Sequence, residues 1–452
     1  MRKKLSKGIA FVLTFVILST MLMLNASAAG VSFDPQLDLN SDYIYLVNLD
    51  TDTTIFQKDA DKKCYPASTT KIMTYVIVTE KVKDLENTMV TIKQSVLDQL
   101  EGTDSSVSGL AEYVDEKISV LELLYCMMVP SGNDAALVLA DYISDGNVPE
   151  FVKLMNQKAK ELGCDNTNFV NPHGLHDENH YTTARDMFKI AEYAITTPRF
   201  TDITNTVTYH LSLDEDDENP IITTNYMINE NSEGDYYYEY AKGIKTGTTD
   251  EAGYCLVSSA VQDGVAYMCV AMHSPCYDDN GDYRDNGAML DSKALYEWAF
   301  SNMELQQVVA EQTPVCEVKI NYAMDKDTLM LVPQYAYSTM LPIDKSKDDI
   351  VIKSDVPEVI DTPVSKGTVV GTATIYYKDQ ELTKINLVAS ETIEKSELVY
   401  AMTVIKNVVT SPIFIIAAAF VIVLFAAYLI FVARLNKGKG KDKEKVNKPR
   451  DL

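Results

Sequence analysis

The chain has 452 residues, 46% of them hydrophobic, which is enough for two or three domains with a sizeable core. Its 65 acidic residues outnumber the 40 basic ones, and the formal net charge of −25 argues against nucleic acid or anionic lipid as a partner. The seven cysteines lack C-x-x-C spacing, which argues against a zinc site or a redox motif. We expect no metal and no other cofactor, and the sequence leaves the pairing of the cysteines open.

Two terminal segments predict export and anchoring. Residues 1–28 combine basic residues, an apolar run over 8–24 and the small-residue cleavage site Ala26-Ser27-Ala28, which is typical of a secretory signal peptide. Residues 411–433 include an uncharged stretch long enough to cross a ~30 Å hydrocarbon core. The tail, 434–452, is basic. By the positive-inside rule, we expect a single-pass cell-membrane protein with a cytoplasmic tail and the body of the protein outside the cytoplasm.

The folded part opens with a predicted hairpin over 43–47 and 53–56, followed by a helix that begins near Pro66. Ser68 lies in the first turn of that predicted helix, and Lys71 follows three residues later on the same face. A lysine of lowered pKa can accept a serine's proton, so the pair is a candidate nucleophile and base. Taken alone, the pattern is more typical of a capping serine with a surface lysine.

Helices are predicted over 120–128, 134–142, 148–162 and 182–195. Between the first two lies Ser131-Gly132-Asn133, a polar loop that can aim two side chains into a cleft. Taken alone, these three residues favour an ordinary capping loop. Residues 171–175, Asn-Pro-His-Gly-Leu, read as a structural turn, with metal binding as a minor alternative.

Lys245-Thr246-Gly247-Thr248 precedes two strand-like runs, 254–260 and 265–272. A lysine and two hydroxyls on an edge strand, beside a glycine that permits close approach, suit an extended peptide ending in a carboxylate. A closing helix is predicted over 286–303. Beyond it, residues 305–400 contain several alternating strand-like runs and predict a small β domain that serves as a spacer or a docking surface.

With Ser68-Thr69-Thr70-Lys71, Ser131-Gly132-Asn133 and Lys245-Thr246-Gly247 in this order, the chain resembles the penicillin-binding serine D-alanyl-D-alanine carboxypeptidases. The resemblance spans roughly residues 42–300. It implies an α/β (α+β) catalytic domain over 29–304 of the serine β-lactamase/DD-peptidase type, with an antiparallel sheet flanked by helices. The small all-β domain and the C-terminal transmembrane helix also match the order of segments in that family.

The resemblance also implies roles. Ser68 would attack the carbonyl between two D-alanines of a peptidoglycan stem peptide, Lys71 would act as base, and Ser131 would carry a proton to the leaving amine. The backbone N–H groups of Ser68 and Thr248 would form the oxyanion hole. The implied substrate-binding residues are Asn133, Lys245, Thr246, Gly247, Thr248 and Arg284.

The resemblance implies penicillin sensitivity, with β-lactams as covalent inhibitors. Two relatives of the same chemistry are alternatives. A β-lactamase is disfavoured because no convincing Glu-x-x-x-Asn follows Ser131-Gly132-Asn133, whereas a transpeptidase is poorly separated by sequence. A catalytically silent wall-binding scaffold of the same fold is the alternative from another class.

Overall fold

The computed structural model describes residues 32–103, 105–214 and 219–443. The predicted signal peptide, 1–28, and the end of the predicted tail, from 444, lie outside the described residues. The chain divides into two compact units, neither of them continuous in sequence. The first contains the described residues up to Val308 together with Ser338–Val351 and Tyr376–Leu382, and the second contains Val309–Tyr337, Ile352–Ile375 and the chain from Thr383.

The centre of the first unit is a five-stranded antiparallel sheet in the order β2-β1-β9-β8-β7. Its strands are β1 (Tyr43–Asn48), β2 (Thr53–Lys58), β7 (Ala241–Thr249), β8 (Gly253–Gln262) and β9 (Val265–Ser274). Strand β7 forms one edge, as predicted for the segment that carries Lys245. The sheet therefore offers a free edge on which an extended ligand can pair.

Helices cover both faces of this sheet. The alternation of β1 sends Tyr45 and Val47 into one apolar cluster and Ile44 and Leu46 into another. The helices of the first unit are α1 (Lys71–Lys81), α2 (Gln94–Leu97), α3 (Val120–Met128), α4 (Asn133–Ile143), α5 (Val148–Glu161), α6 (Ala184–Ile195), α7 (Phe200–Thr204) and α8 (Gly287–Asn302). The predicted arrangement, an antiparallel sheet flanked by helices, is confirmed.

Short strand pairs complete the first unit. They are β3 (Met89–Thr91) with β4 (Lys117–Ser119), β5 (Thr208–Tyr209) with β6 (Ile221–Ile222), and β10 (Met303–Val309) with β13 (Tyr337–Pro342). The last pair was not predicted, because it joins segments about 30 residues apart whose pairing depends on tertiary contacts.

A six-stranded sheet in the order β14-β16-β17-β12-β11-β15 accounts for the predicted all-β domain. Its strands are β11 (Cys316–Asn321), β12 (Thr328–Pro333), β14 (Ile350–Asp355), β15 (Val359–Asp361), β16 (Val369–Tyr377) and β17 (Gln380–Ala389). Two helices follow, α9 (Glu397–Thr410) and α10 (Pro412–Lys443). Helix α10 is long and apolar enough to cross a membrane over Pro412–Leu435.

The seven cysteines are all free thiols. Six of them are buried, and Cys316 is partly exposed. Burial raises the pKa of the Cys255 thiol to about 12, so this thiol stays protonated and behaves as a small apolar side chain.

Candidate active site

Ser68 lies in a short 3₁₀ turn, Ala67–Thr70, and the α-helix α1 begins only at Lys71. The prediction of an α-helical first turn at Ser68 is wrong in this detail, because the chain tightens into i→i+3 geometry before α1 starts. The pairing of the two side chains is confirmed, since Lys71 Nζ lies 2.8 Å from Ser68 Oγ. Lys71 is fully buried, so the alternative of a surface lysine is excluded.

The Lys71 amine is surrounded by three oxygen acceptors. Besides Ser68 Oγ, it donates to Asn133 Oδ1 at 2.5 Å and to the His173 carbonyl at 2.8 Å. Burial is the largest cause that lowers the pKa of Lys71 well below its usual value, and the nearby Lys245 lowers it further. A neutral amine at this position has a lone pair that can take the hydroxyl proton of Ser68.

Asp134, at the start of α4, anchors the loop over residues 106–110 against the Ser131-Gly132-Asn133 motif. Its buried carboxylate accepts from Ser108 N at 2.9 Å with each oxygen, from Ser108 Oγ at 2.9 Å and from Leu110 N at 3.3 Å. The backbone of this loop also meets the motif directly, since Asn133 N donates to the Ser106 carbonyl at 2.9 Å. The loop is therefore fixed against the helix that supplies Asn133.

We expect Asp134→Asn to destabilise the protein by about 2–3 kcal/mol, because hydrogen bonds to a charged acceptor are lost and an amide N–H₂ faces backbone donors. Thermal melting and faster hydrogen exchange of the Ser108 and Leu110 amides check this. Asp141→Asn on the same helix is the matched control, because the Asp141–Lys93 ion pair is partly exposed and worth at most about 1 kcal/mol. Equal effects of the two substitutions would contradict the expectation.

The segment 171–175 packs against the turn that carries Ser68. Gly174 has a φ of +94°, and a Cβ added there would lie 1.9 Å from the Ala67 carbonyl oxygen. The His173 carbonyl reaches Lys71, a contact that the sequence analysis missed because the carbonyl carries no side-chain signal. Burial lowers the pKa of the His173 ring to about 3. Among the described residues, no group of His, Cys, Asp and Glu is arranged to hold a metal ion.

Gly174→Ala is therefore expected to lower the melting temperature and the catalytic rate together, because the new methyl group pushes the His173 carbonyl away from Lys71. The left-handed backbone alone costs about 1–2 kcal/mol, and the overlap adds about 1–3 kcal/mol. Gly163→Ala is the control. Gly163 also has a positive φ, +70°, but the nearest atom that an added Cβ would meet is Lys189 Nζ at 4.0 Å. The control should lose only the stability that the left-handed backbone costs, and it should keep the wild-type catalytic rate.

Strand β7 places Lys245 near the Ser68–Lys71 pair. Lys245 is 1% exposed, and its amine donates to the Thr246 carbonyl at 3.0 Å. Burial lowers the pKa of Lys245 to about 7. Gly247 lets the strand lie against the nucleophile turn, because a Cβ there would approach Ser68 N to 2.9 Å. The chain thus places a second amine and the edge of the sheet beside Ser68.

A cavity of about 310 Å³ opens above these groups. It brings together six predicted residues from four separate segments of the chain: Ser68, Ser131, Thr246, Gly247, Thr248 and Arg284. Lys71, Asn133 and Lys245 are buried side chains that do not line it. The guanidinium of Arg284 is exposed, and the Arg284 carbonyl accepts from Tyr254 Oη at 3.3 Å. Further lining residues that the sequence analysis did not single out are Ser106, Thr224, Tyr226, Tyr236, Tyr254, Asn286 and Met289.

Comparison with known proteins agrees with this geometry. Residues 29–276 match the D-alanyl-D-alanine carboxypeptidase family (Peptidase_S11). The chain belongs to the D-alanyl-D-alanine carboxypeptidase family. Residues 304–395 of this carboxypeptidase match the C-terminal domain of penicillin-binding protein 5. The carboxypeptidase DacA of Haemophilus influenzae is 31% identical over 401 residues, covering 86% of this chain and 93% of that protein.

Solved structures show the same fold. The penicillin binding protein 5 of Haemophilus influenzae aligns with a TM-score of 0.60 and 27% identity over 79% of this carboxypeptidase and 99% of that chain. The Streptomyces K15 DD-transpeptidase aligns with a TM-score of 0.51 and 28% identity over 59% of this carboxypeptidase and 98% of that chain. The protein is a D-alanyl-D-alanine carboxypeptidase with a penicillin-binding protein 5 fold and an all-β C-terminal domain.

Proposed function

We propose that this carboxypeptidase removes the terminal D-alanine from peptidoglycan stem pentapeptides through an acyl-enzyme on Ser68. The observation that carries the proposal is the 2.8 Å contact between Ser68 Oγ and the amine of the fully buried Lys71. A serine is nucleophilic only beside a base, and this base has its pKa lowered by burial and by a second amine. A silent scaffold has no chemical need for this arrangement.

Acylation begins when Lys71 takes the Ser68 proton and Ser68 Oγ attacks the carbonyl between the two D-alanines. The backbone N–H groups of Ser68 and Thr248 stabilise the oxyanion, a contribution worth about 3 kcal/mol per donor. The C–N bond then breaks, Ser131 passes its hydroxyl proton to the leaving D-alanine amine, and Lys71 returns to Ser131 the proton that it took from Ser68. Asn133 holds Lys71, whose amine it meets at 2.5 Å, and the amide of the substrate.

The terminal carboxylate of the substrate binds beside β7. Lys245 supplies the positive charge, Thr246 and Thr248 supply hydroxyl donors, and the exposed Arg284, which lines the same cavity, assists. Thr246 Oγ1 lies 2.5 Å from Thr224 Oγ1, which orients this hydroxyl. A carboxylate that arrives next to Lys245 favours the charged form of its amine and so keeps the pKa of Lys71 low.

Water completes the cycle by hydrolysing the ester of the acyl-enzyme, which releases the shortened stem peptide and restores Ser68. Benzylpenicillin would acylate the same oxygen by opening of its β-lactam ring, in which the ring nitrogen takes the proton. Mass spectrometry of the full chain in detergent, after incubation with benzylpenicillin, tests the chemistry, and D-alanine release from a pentapeptide tests the activity. An unmodified Ser68 together with no D-alanine release would favour the silent scaffold.

Transfer of the acyl group to an amine is the second candidate, because a similar structure is that of the Streptomyces K15 DD-transpeptidase. The same acyl-enzyme serves both reactions, and only the acceptor differs. Incubation of a pentapeptide with an excess of glycine separates them. Free tetrapeptide as the main product supports the carboxypeptidase, and a glycine-capped tetrapeptide as the main product supports the transpeptidase.

We also propose a single membrane span, with residues 29–304 as the catalytic domain and 305–400 as the β-rich domain outside the cytoplasm. The apolar stretch Pro412–Leu435 and the basic residues after it support this orientation. Protease added to intact cells after removal of the wall should digest the catalytic domain and leave the tail protected. A protected catalytic domain would reverse the orientation.

A further inference from the structure

A second cavity in the first unit has no part in the proposed chemistry. Its volume of about 420 Å³ exceeds that of the catalytic cavity, and the two share no lining residue. All of its lining residues belong to the first unit. The volume falls within the range of about 300–1,000 Å³ that is typical of small-molecule sites.

Helix α8 supplies one wall of this second cavity. Trp298, the only tryptophan of the chain, and Asn302 are four residues apart and therefore lie on the same helical face, which opens to the cavity. Tyr296, on the opposite side of the helix from Trp298, packs in the core. Asn302 Nδ2 donates to the Trp298 carbonyl at 2.8 Å, which ties the amide to the tryptophan.

An apolar floor and a polar rim complete the cavity. Phe33 and Tyr377, whose ring centroids are 5.5 Å apart, supply aromatic surface. The rim carries Asp344, Lys378 and Gln380, whose side chains are exposed. The walls are preformed, because Ser32 N donates to Gln380 Oε1 at 3.0 Å and Ser32 Oγ accepts from Gln57 N at 3.2 Å.

This arrangement selects a class of ligand. The carboxylates of Asp34 and Asp344 repel an anionic ligand. The Lys378 amine, 5.1 Å from the Tyr377 ring centroid, repels a cationic one. A neutral molecule with an apolar face and many hydroxyl or amide groups satisfies both the aromatic wall and the mixed donors and acceptors of the rim. A sugar ring has these properties.

We propose that the second cavity binds a sugar residue of the peptidoglycan glycan strand. The proposal rests on the proposed function, because a wall-directed carboxypeptidase meets its stem peptides attached to glycan. Met289, which lines the catalytic cavity, and Trp298 are nine residues apart on α8, which places them about 14 Å apart along the axis and on opposite faces of the helix. The bound sugar therefore belongs to a part of the polymer other than the repeat being cleaved.

Fluorescence provides a direct test, since the emission of the chain's single tryptophan reports on this cavity alone. The full chain, in a detergent without a sugar headgroup, is titrated with tri-N-acetylchitotriose and with peptide-free glycan strands. We expect a saturable change in Trp298 emission. Asn302→Ala and Lys378→Ala should weaken binding about tenfold or more, whereas Lys153→Ala, an exposed lysine on α5, should bind as the wild type does.

Activity gives the second readout. The two cavity variants should cleave a short D-alanyl-D-alanine peptide at the wild-type rate and intact peptidoglycan more slowly. The inference is overturned by an unchanged emission, by an equal response in all variants, or by a response to free lysine instead of sugar. Penicillin labelling of Ser68 and cleavage of the short peptide in the same samples would show that the proposed function stands when the sugar site fails.

Discussion

Ser68→Ala is expected to lose the penicillin adduct entirely and to lower kcat by about 10⁴–10⁶-fold, the range seen when a serine hydrolase loses one residue of its catalytic triad. The physical reason is that no other hydroxyl meets the Lys71 amine: among the described residues, its remaining partners are the Asn133 side chain and the His173 carbonyl. Mass spectrometry after benzylpenicillin and D-alanine release from a pentapeptide measure the two effects.

Ser144→Ala is a suitable control for the loss of a serine hydroxyl. Ser144 caps the end of α4, where its hydroxyl donates to the Ala140 carbonyl at 2.6 Å, and it does not line the catalytic cavity. This variant should keep both the adduct and the rate. An adduct that persists in Ser68→Ala would place the nucleophile elsewhere and refute the proposed mechanism.

Lys245→Met is expected to change activity and stability in opposite directions. Loss of the amine that binds the substrate carboxylate should lower kcat/KM by about 10²–10³-fold, because removing one partner of a buried charge pair costs roughly 2–5 kcal/mol. A substrate that ends in D-alaninamide carries no carboxylate, so its cleavage should respond far less. Steady-state kinetics with the two substrates separates lost binding from general damage.

The stability effect follows from the buried position of Lys245. Its pKa falls from 10.5 in the unfolded chain to about 7 in the folded protein. The cost of burying the amine is therefore complete below pH 7, declines as the pH rises and vanishes above about 10.5. Lys245→Met should raise the melting temperature at pH 7 by about 2–4 °C for each kcal/mol recovered, and this excess should shrink toward pH 10.

Lys242→Met is the matched control, since Lys242 is exposed on the same strand β7. It should alter neither kcat/KM nor the pH dependence of the melting temperature. A melting difference between wild type and Lys245→Met that stays constant from pH 7 to pH 10 would show that the amine is not the titrating group.

The sequence by itself determined the elements and the chemical groups of the site. The hairpin β1–β2 and the helices α3 to α6 follow from local periodicity, which a single segment contains in full. The motif residues Ser68, Lys71 and Lys245 were found because their chemistry depends on side-chain type and close spacing. Strands β10 and β13 were missed, because their patterns are short and their pairing depends on distant partners. Helix α9 was missed as well, although it has 14 residues.

Only the tertiary structure decided how these groups work together. It buries Lys71 and Lys245 close enough to lower the pKa of Lys71, and it brings the His173 carbonyl within 2.8 Å of the amine. The position of a backbone carbonyl cannot be predicted from a pattern of side-chain types. Burial depends on the packing of all neighbouring elements. The second cavity has the same origin, since Phe33, Trp298 and Tyr377 meet only in the folded chain.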